Sequence, residues 1–467
     1  MAANSLQDVL SGAGNTVKHL RNSQIGAYVY PVVAPEFTNW RDEQRAWRET
    51  AVLFDQSHHM AELLVEGPDA KKLLSYLAIN SFENFPVGRA KHFVPVSSTG
   101  HVIGDVIIFR EDENRYNLVG RAPTVTWVQF HAETGGYDVV IARDDRSPAR
   151  PMGKPVSRRH YRFQVQGPNA PQILERLNGG PVPDVKFFHM DRINIGNRRV
   201  KVLRHGMAGV PGLEIWGPYE EGDEVREAIL EAGKDLGLTQ VGSRAYATNT
   251  LESGWIPSPL PAIYTGGEIE AAYRKWAPAN SYEAAGSIGG SFVSDNIEDY
   301  YCTPYELGYG IYIKFDHDFI GREALEKMKD QPHRRKVTFE WNAEDVMKVH
   351  ASHLVPGGKN FKTIDLPLSN YASTSADKIM MGDKMVGVSM FAGYSYNERA
   401  NLSLGFVDAD INENDILTLV WGEENGGTDK TTVEPHEQTE IRVRVSKVPF
   451  SADARETYAD SWRTRQS

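Results

Sequence analysis

One cysteine in 467 residues, Cys302, rules out an internal disulfide, and a chain without a disulfide framework fits a reducing compartment. Set between NIEDYY and TPYE, with no histidine-and-acid frame around it, Cys302 reads as a passive structural thiol. Long apolar runs are also missing, which argues against a membrane-spanning helix. The opening MAANSLQDVLSGAGNTVKH has neither the basic start nor the apolar stretch of a secretory signal. A cytoplasmic protein without a membrane partner is therefore expected. Positive charge is in deficit, 51 Lys and Arg against 62 Asp and Glu, so binding nucleic-acid phosphates is not its main business.

Several cofactor signatures are missing as well. Gly12 and Gly14 follow no strand, and GSIGGS lacks the dinucleotide-binding spacing. No phosphate loop ending in Gly-Lys-Ser/Thr occurs, no Cys or His spacing suits zinc, and no metal is expected. His58 and His59 are neighbours, so on an extended chain they face opposite ways and cannot readily grip one ion together.

What is present is a mixed α+β chain with room for two to four domains at about 150 residues each. LLVEGPDAKKLLSYL and, a hundred positions later, RFQVQGPNAPQILERL agree at Val65/Val165, Gly67/Gly167, Pro68/Pro168, Ala70/Ala170, Leu74/Leu174 and Leu77/Leu177. Each copy reads as a strand, a tight Gly-Pro turn, a short polar residue at the helix start (Asp69, Asn169) and a helix. Strand-like runs follow the first copy, and RRVKVLRHGMAGVPGLEIWG reads as a hairpin after the second. Past about residue 335, alternating patterns such as RRKVTFEW, MVGVSMF and EIRVRVSKV predict a C-terminal β-barrel or sandwich. The stretch from Asn342 to Asp383 is weakly periodic and reads as an insertion or surface loop.

GDEVREAILEAGKDLGL predicts an amphipathic helix through Val225, Ile229, Ala232 and Leu236, stopped at Gly237. GSRAYATNTLESGW then predicts a helix capped by Ser243, with Tyr246, Asn249, Thr250 and Ser253 along one face and Leu251 and Trp255 in the buried stripe. On pattern alone Tyr246 is a rim tyrosine with its hydroxyl in water. Arg121, ending the strand YNLVG, is either a solvated turn arginine or an anchor for an anion.

Five motifs in order resemble the aminomethyltransferase (glycine-cleavage T-protein) superfamily: FDQSHHM, the paired VxGPxA turns, RHGMAGVPGLEIWG, GSRAYATNTLESGW and FIGREAL. The resemblance implies a three-domain cloverleaf that holds tetrahydrofolate in a central channel. The expected units are a first α+β domain of residues 1–54 with 155–240, a second, ferredoxin-like one of 55–154 with 241–330, and a C-terminal β domain of 331–467. It also implies Glu214 as the pterin-binding carboxylate, with Gln166 and Trp255 as further lining residues.

Two departures bear on the chemistry. Where the family has an Asp-Asp pair this chain has Gly104 before Asp105, and where it has Ala-Arg-Asp the arginine is Tyr246 and the aspartate Ala247. With runs such as NSQIGAYVYPVVAPEF and HVIGDVIIF, these departures resemble the tetrahydrofolate-dependent aryl O-demethylases, which act on vanillate, 3-O-methylgallate or syringate. The resemblance implies Tyr30, His59 and Arg121 as anchors for a methoxylated aromatic acid, and Tyr246, whose hydroxyl matches a leaving phenol in proton affinity, is the candidate general acid. The competing readings are a glycine-cleavage-type aminomethyltransferase and a non-catalytic folate-binding regulator.

Overall fold

The computed structural model describes residues 4–148, 156–257, 259–426 and 429–457. The boundary expected between 154 and 155 and the end of the expected C-terminal domain, 458–467, lie outside them. In chain order the first eleven strands are β1 (Ala51–Asp55), β2 (Ala61–Glu66), β3 (Arg89–Phe93), β4 (Val106–Asp112), β5 (Arg115–Gly120), β6 (Val140–Asp144), β7 (His160–Gln166), β8 (Met190–Ile195), β9 (Arg198–Leu203), β10 (Gly212–Pro218) and β11 (Leu238–Gln240). They form a six-stranded sheet, β11-β1-β7-β10-β9-β8, and a five-stranded sheet, β3-β4-β5-β2-β6. The two meet edge to edge, where Arg89 bridges His189 and the Ala90 N–H donates to the Phe188 carbonyl at 2.9 Å.

The repeat is structural as well as sequential. Each Gly-Pro turn leads from a strand, β2 or β7, into a helix, Ala70–Leu77 or Ala170–Asn178. Gly67 (φ 148°) and Gly167 (φ 124°) press against neighbouring backbone: a Cβ on either would lie 2.4 Å from the Asp138 carbonyl oxygen or 2.6 Å from that of Thr50. Asp69 and Asn169 do not cap their helices. Each turn is packed so closely on the adjoining segment that the nearest open backbone group belongs to that segment. Asp69 accordingly accepts from the Asp138 N–H at 3.0 Å and Asn169 donates to the Leu236 carbonyl at 2.9 Å.

The amphipathic helix forms over Gly222–Gly233 with Val225 and Ile229 buried, and Gly237 ends the following turn at φ 71°. Two helices that open the chain, Leu6–Ala13 and Thr16–Asn22, bury Leu6, Leu10, Val17 and Leu20 in the core shared with β2, β4 and β5. No helix among the described residues is long and apolar enough to cross a membrane.

The C-terminal region is a closed barrel. A parallel pair, β12 (Ile288–Gly289) and β14 (Thr374–Ser375), stands beside it. The barrel strands are β13 (Arg335–Trp341), β15 (Asp377–Met381), β16 (Lys384–Ser395), β17 (Ala400–Val407), β18 (Ile416–Trp421) and β19 (Thr439–Ser446), closing in the order β13-β17-β16-β15-β18-β19. The 342–383 stretch is more ordered than its weak periodicity predicts. Asn342 caps a helix over Ala343–Ser352 by accepting from the Glu344 and Asp345 N–H groups, and Ile364 and Tyr371 enter the barrel core. Two short turns and a half-buried strand leave little periodic signal.

GSRAYATNTLESGW also departs from its prediction. It forms two short helical turns, Ser243–Tyr246 and Asn249–Ser253, and Ser243 caps neither. The backbone of the coil before it does that work: Ser243 and Arg244 N–H groups donate to the carbonyls of Ala34 and Pro35 at 2.8 and 3.2 Å. Gly242 permits the approach, since a Cβ there would lie 2.3 Å from the Pro35 oxygen.

Candidate functional site

Both sheets, the paired turns of 243–253 and the barrel face one cavity of about 460 Å³, within the usual size for a small-molecule site. The predicted face of Tyr246, Asn249, Thr250 and Ser253 lines it, as do Tyr30, His59, Arg121, Glu214 and Trp255. Gln166 does not reach it. It faces the same way as Arg162 and Gln164 on β7, but its Oε1 accepts from the Ala208 N–H at 3.1 Å, so it holds the glycine-rich turn one layer back.

One corner of the cavity is aromatic and electropositive. The Tyr246 ring lies 4.3 Å from that of Tyr30 and 4.9 Å from that of His59. Tyr246 is 2% exposed, so the rim position that pattern alone suggested is not the one it takes. Burial, reinforced by neighbouring Tyr30, pushes its hydroxyl well above the usual tyrosine range, and it therefore stays protonated at any working pH.

Local sequence explains how these groups converge. Asp55 accepts from the Ser57 N–H at 2.9 Å, bending the chain after β1. That turn sends His58 to the Ser147 hydroxyl at 2.9 Å and His59 into the cavity, so the two histidines diverge as expected. Arg121 stands where β5 passes into the helix Ala122–Thr134. Its guanidinium lies 4.2 Å from the Tyr28 ring, and that of Arg146 lies 4.6 Å from the same ring. Arg146 also donates to the Val29 carbonyl at 2.8 Å, fixing the coil that carries Tyr30. Burial, then the charges of Arg146 and Arg121, hold His59 well below the usual histidine range, so it is a neutral imidazole.

The opposite corner is built on Glu214, which β10 inserts between β7 and β9. Arg162 on β7 bonds one of its oxygens and reaches Glu62 at 3.3 Å, while Glu62 also takes Asn117 and His160, each at 2.9 Å. Burial alone would raise Glu62, but Arg162, His160 and Asn117 together hold it well below the carboxylate range. Among the described residues Glu214 has a single strong donor, and burial keeps it raised. Its Oε2 faces His205 Nδ1 at 4.0 Å, a buried ring nitrogen without a partner among the described residues. Burial pushes His205 down to about 3.

A third group closes the cavity. Trp255 Nε1 donates to Asp105 and to the Tyr309 hydroxyl, both at 3.1 Å, and Tyr309 donates to Asp105 at 3.1 Å. Lys336, from β13, lines the same wall, and burial lowers it to about 8.

Residues 19–258 match the family described as GCVT N-terminal domain. The chain belongs to the glycine-cleavage T-protein family. It is similar to the syringate O-demethylase of Sphingobium sp., 53% identical over 100% of both chains. It is 30% identical over 89% of each chain to the sesamin methylene transferase of Sinomonas sp.. The glycine cleavage system aminomethyltransferase T of Bartonella henselae has the same fold, with a TM-score of 0.59 at 18% identity over 93% of this chain and 95% of that one. The α+β architecture with a closed C-terminal barrel is thus that of the T-protein family.

Within that family the departures now have a geometry. A Cβ on Gly104 would lie 2.6 Å from Thr124 Oγ1, so no acidic side chain fits there unless Thr124 moves. Asp105, the acid that remains, is held by Trp255 and Tyr309. Glu252, of the Leu-Glu signature, is 1% exposed and accepts from Trp47, Arg48 and Ser395 at 3.1, 2.9 and 2.7 Å, joining three parts of the fold away from the cavity.

Sequence reasoning missed Arg162, Tyr28 and Arg146. Arg162 did leave a signal. With Gln164 and Gln166 it puts polar residues at every second position of a strand whose other face is apolar, which marks a polar layer inside the protein.

Proposed function

We propose that this protein transfers the methyl group of a methoxylated aromatic acid such as syringate, vanillate or 3-O-methylgallate to N5 of tetrahydrofolate, leaving the corresponding phenol. The observation that carries this is the buried, protonated Tyr246 in a corner flanked by Arg121 and Arg146. A reduced pterin suits the opposite corner. Glu214 and His205 both line the cavity there, and His205 Nδ1, without a partner among the described residues, stands 4.0 Å from the Glu214 carboxylate, so a ring edge rich in N–H groups meets an acceptor. Bound there, the pterin would supply a nucleophilic amine as methyl acceptor.

The protein's own part is to orient and to protonate. Arg121 anchors the carboxylate, with Tyr30 and neutral His59 packed around the ring. Tyr246 donates its proton to the ether oxygen as the oxygen–methyl bond breaks. A phenol as leaving group and a tyrosine as acid have matched affinities for the proton, both near 10 in water, and burial raises both together. The proton the tyrosine gives is balanced by the one the acceptor amine loses, so the net reaction neither takes up nor releases a proton. The obstruction at Gly104 weighs against aminomethyl chemistry, and a regulator would have no use for a buried acid beside an anion anchor.

Anaerobic incubation with tetrahydrofolate and each of the three acids is expected to yield 5-methyltetrahydrofolate and the demethylated phenol in equal amounts. A need for oxygen or a reductant overturns the reading. The KM for the aromatic acid is expected to stay flat from pH 6 to 8, because His59, held well below the usual histidine range, is already neutral there. A tenfold rise in KM across that range would instead place a protonated His59 on the carboxylate.

A further inference from the structure

A small side pocket of about 40 Å³ opens off the main cavity, sharing Tyr28, Tyr30 and Arg121 with it. Its walls come from two sources. Ala247 and Ile256 come from the segment that starts at Tyr246, and Leu368, Ala372 and Met390 come from the end of the 342–383 stretch and from β16. The lining is mostly apolar, and two of its polar members, Asn370 and Ser373, are turned to other partners. Asn370 both donates to and accepts from the backbone of Ala392, at 3.0 and 3.1 Å, and Ser373 donates to the Ser287 carbonyl at 2.8 Å. The 367–368 strand edge lies tight on β16, where Gly393 leaves space: a Cβ there would be 2.5 Å from the Pro367 oxygen and 3.1 Å from Leu368 Cδ2.

Resting on the proposed demethylation, we infer that this side pocket receives a second methoxy group, on a ring that carries methoxy groups on both sides of its phenol oxygen. Such a group lies meta to the carboxylate, one ring edge away. A pocket that shares Arg121 with the carboxylate anchor stands where that group falls. The size agrees, since a water-sized probe needs about 10–15 Å³ and the pocket therefore takes a substituent of a few heavy atoms, not a second ring. Ala247 contributes as well. Its methyl group keeps that wall apolar, where a carboxylate would be buried without a partner. The segment 366–376 thereby becomes the element that sets substrate substitution, from a part of the chain remote from the catalytic motifs.

The test fills the pocket. Ala372→Leu is expected to lower kcat/KM for a doubly methoxylated acid by about 10- to 100-fold, while kcat/KM for the singly methoxylated acid stays within about threefold of the parent enzyme. Leu368→Ala, which enlarges the pocket, is expected to raise the relative rate of a ring bearing an ethoxy group at the second position. Thermal melting of both variants separates loss of fold from loss of fit. Equal losses on both acids in a folded Ala372→Leu enzyme, or no change on either, overturn the assignment of the pocket. Failure of the unaltered enzyme to demethylate either acid overturns the underlying reaction, and this assignment with it.

Discussion

Tyr246→Phe is expected to bind both the aromatic acid and tetrahydrofolate with affinities close to those of the parent enzyme while losing turnover by about two to four orders of magnitude, the usual share of a general acid. The ring is a packing element held at 4.3 to 5.2 Å from Tyr30, His59 and Phe54. Phenylalanine preserves those contacts, so only the proton is removed. The hydroxyl donates to the Met207 sulfur at 3.6 Å, a weak acceptor whose loss costs the fold little. The decisive comparison is across leaving groups. An acid that protonates the departing oxygen matters most where that oxygen is most basic, so the deficit of Tyr246→Phe should shrink on rings carrying electron-withdrawing substituents. A uniform deficit across such a series, or near-normal turnover on the native acid, sinks the assignment.

Arg162→Met is expected to lower the free energy of unfolding by about 3–5 kcal/mol at neutral pH, because it leaves Glu62 and Glu214 buried without their shared cation. The sign with pH distinguishes this from a simple packing defect. In the parent protein Glu62 is held below its unfolded value, so its contribution is present above pH 4 to 5 and is lost on acidification. In the variant both carboxylates would be raised above their unfolded values, which costs stability as pH rises through the folded pKa. The gap between variant and parent should therefore be widest at neutral pH, narrow as pH falls toward 5 and shrink further below it, as Glu62 protonates in the parent. Chemical denaturation at a series of pH values reads this directly, and adding Glu214→Gln should recover part of the loss. A pH-independent gap would show that the charge network is not its source.

Much of the aromatic corner was legible in the sequence because its residues lie in motifs with local rules. FDQSHHM specifies the Asx turn that turns His59 inward, and the strand-to-helix step after YNLVG places Arg121. Tyr246 was legible only through its departure from the related pattern, since a tyrosine at a polar helix start carries no burial signal of its own. The capping role expected of Ser243 failed because the helix starts one residue earlier, with the Ser243 and Arg244 N–H groups held by a coil two hundred positions earlier in the chain, a long-range contact that no local pattern encodes. Gln166 was misplaced for a related reason. Its strand face was right, but its amide oxygen is taken by the Ala208 N–H and the side chain stays outside the cavity lining. The side pocket was beyond reach, since it exists only once the barrel segment is folded against the helical turns.

The paired turns at Gly67 and Gly167 also bear on how this chain tolerates change. A repeat gives a protein two copies of a working joint, and it gives two copies of the joint's weak point. At both positions the backbone conformation and the oxygen facing it admit a hydrogen and nothing larger. Neither copy can drift while the other compensates, because each closes its own sheet. Such sites stay fixed long after the rest of a duplicated unit has diverged, which is why the Gly-Pro pair still marks the duplication when most of the surrounding residues no longer match.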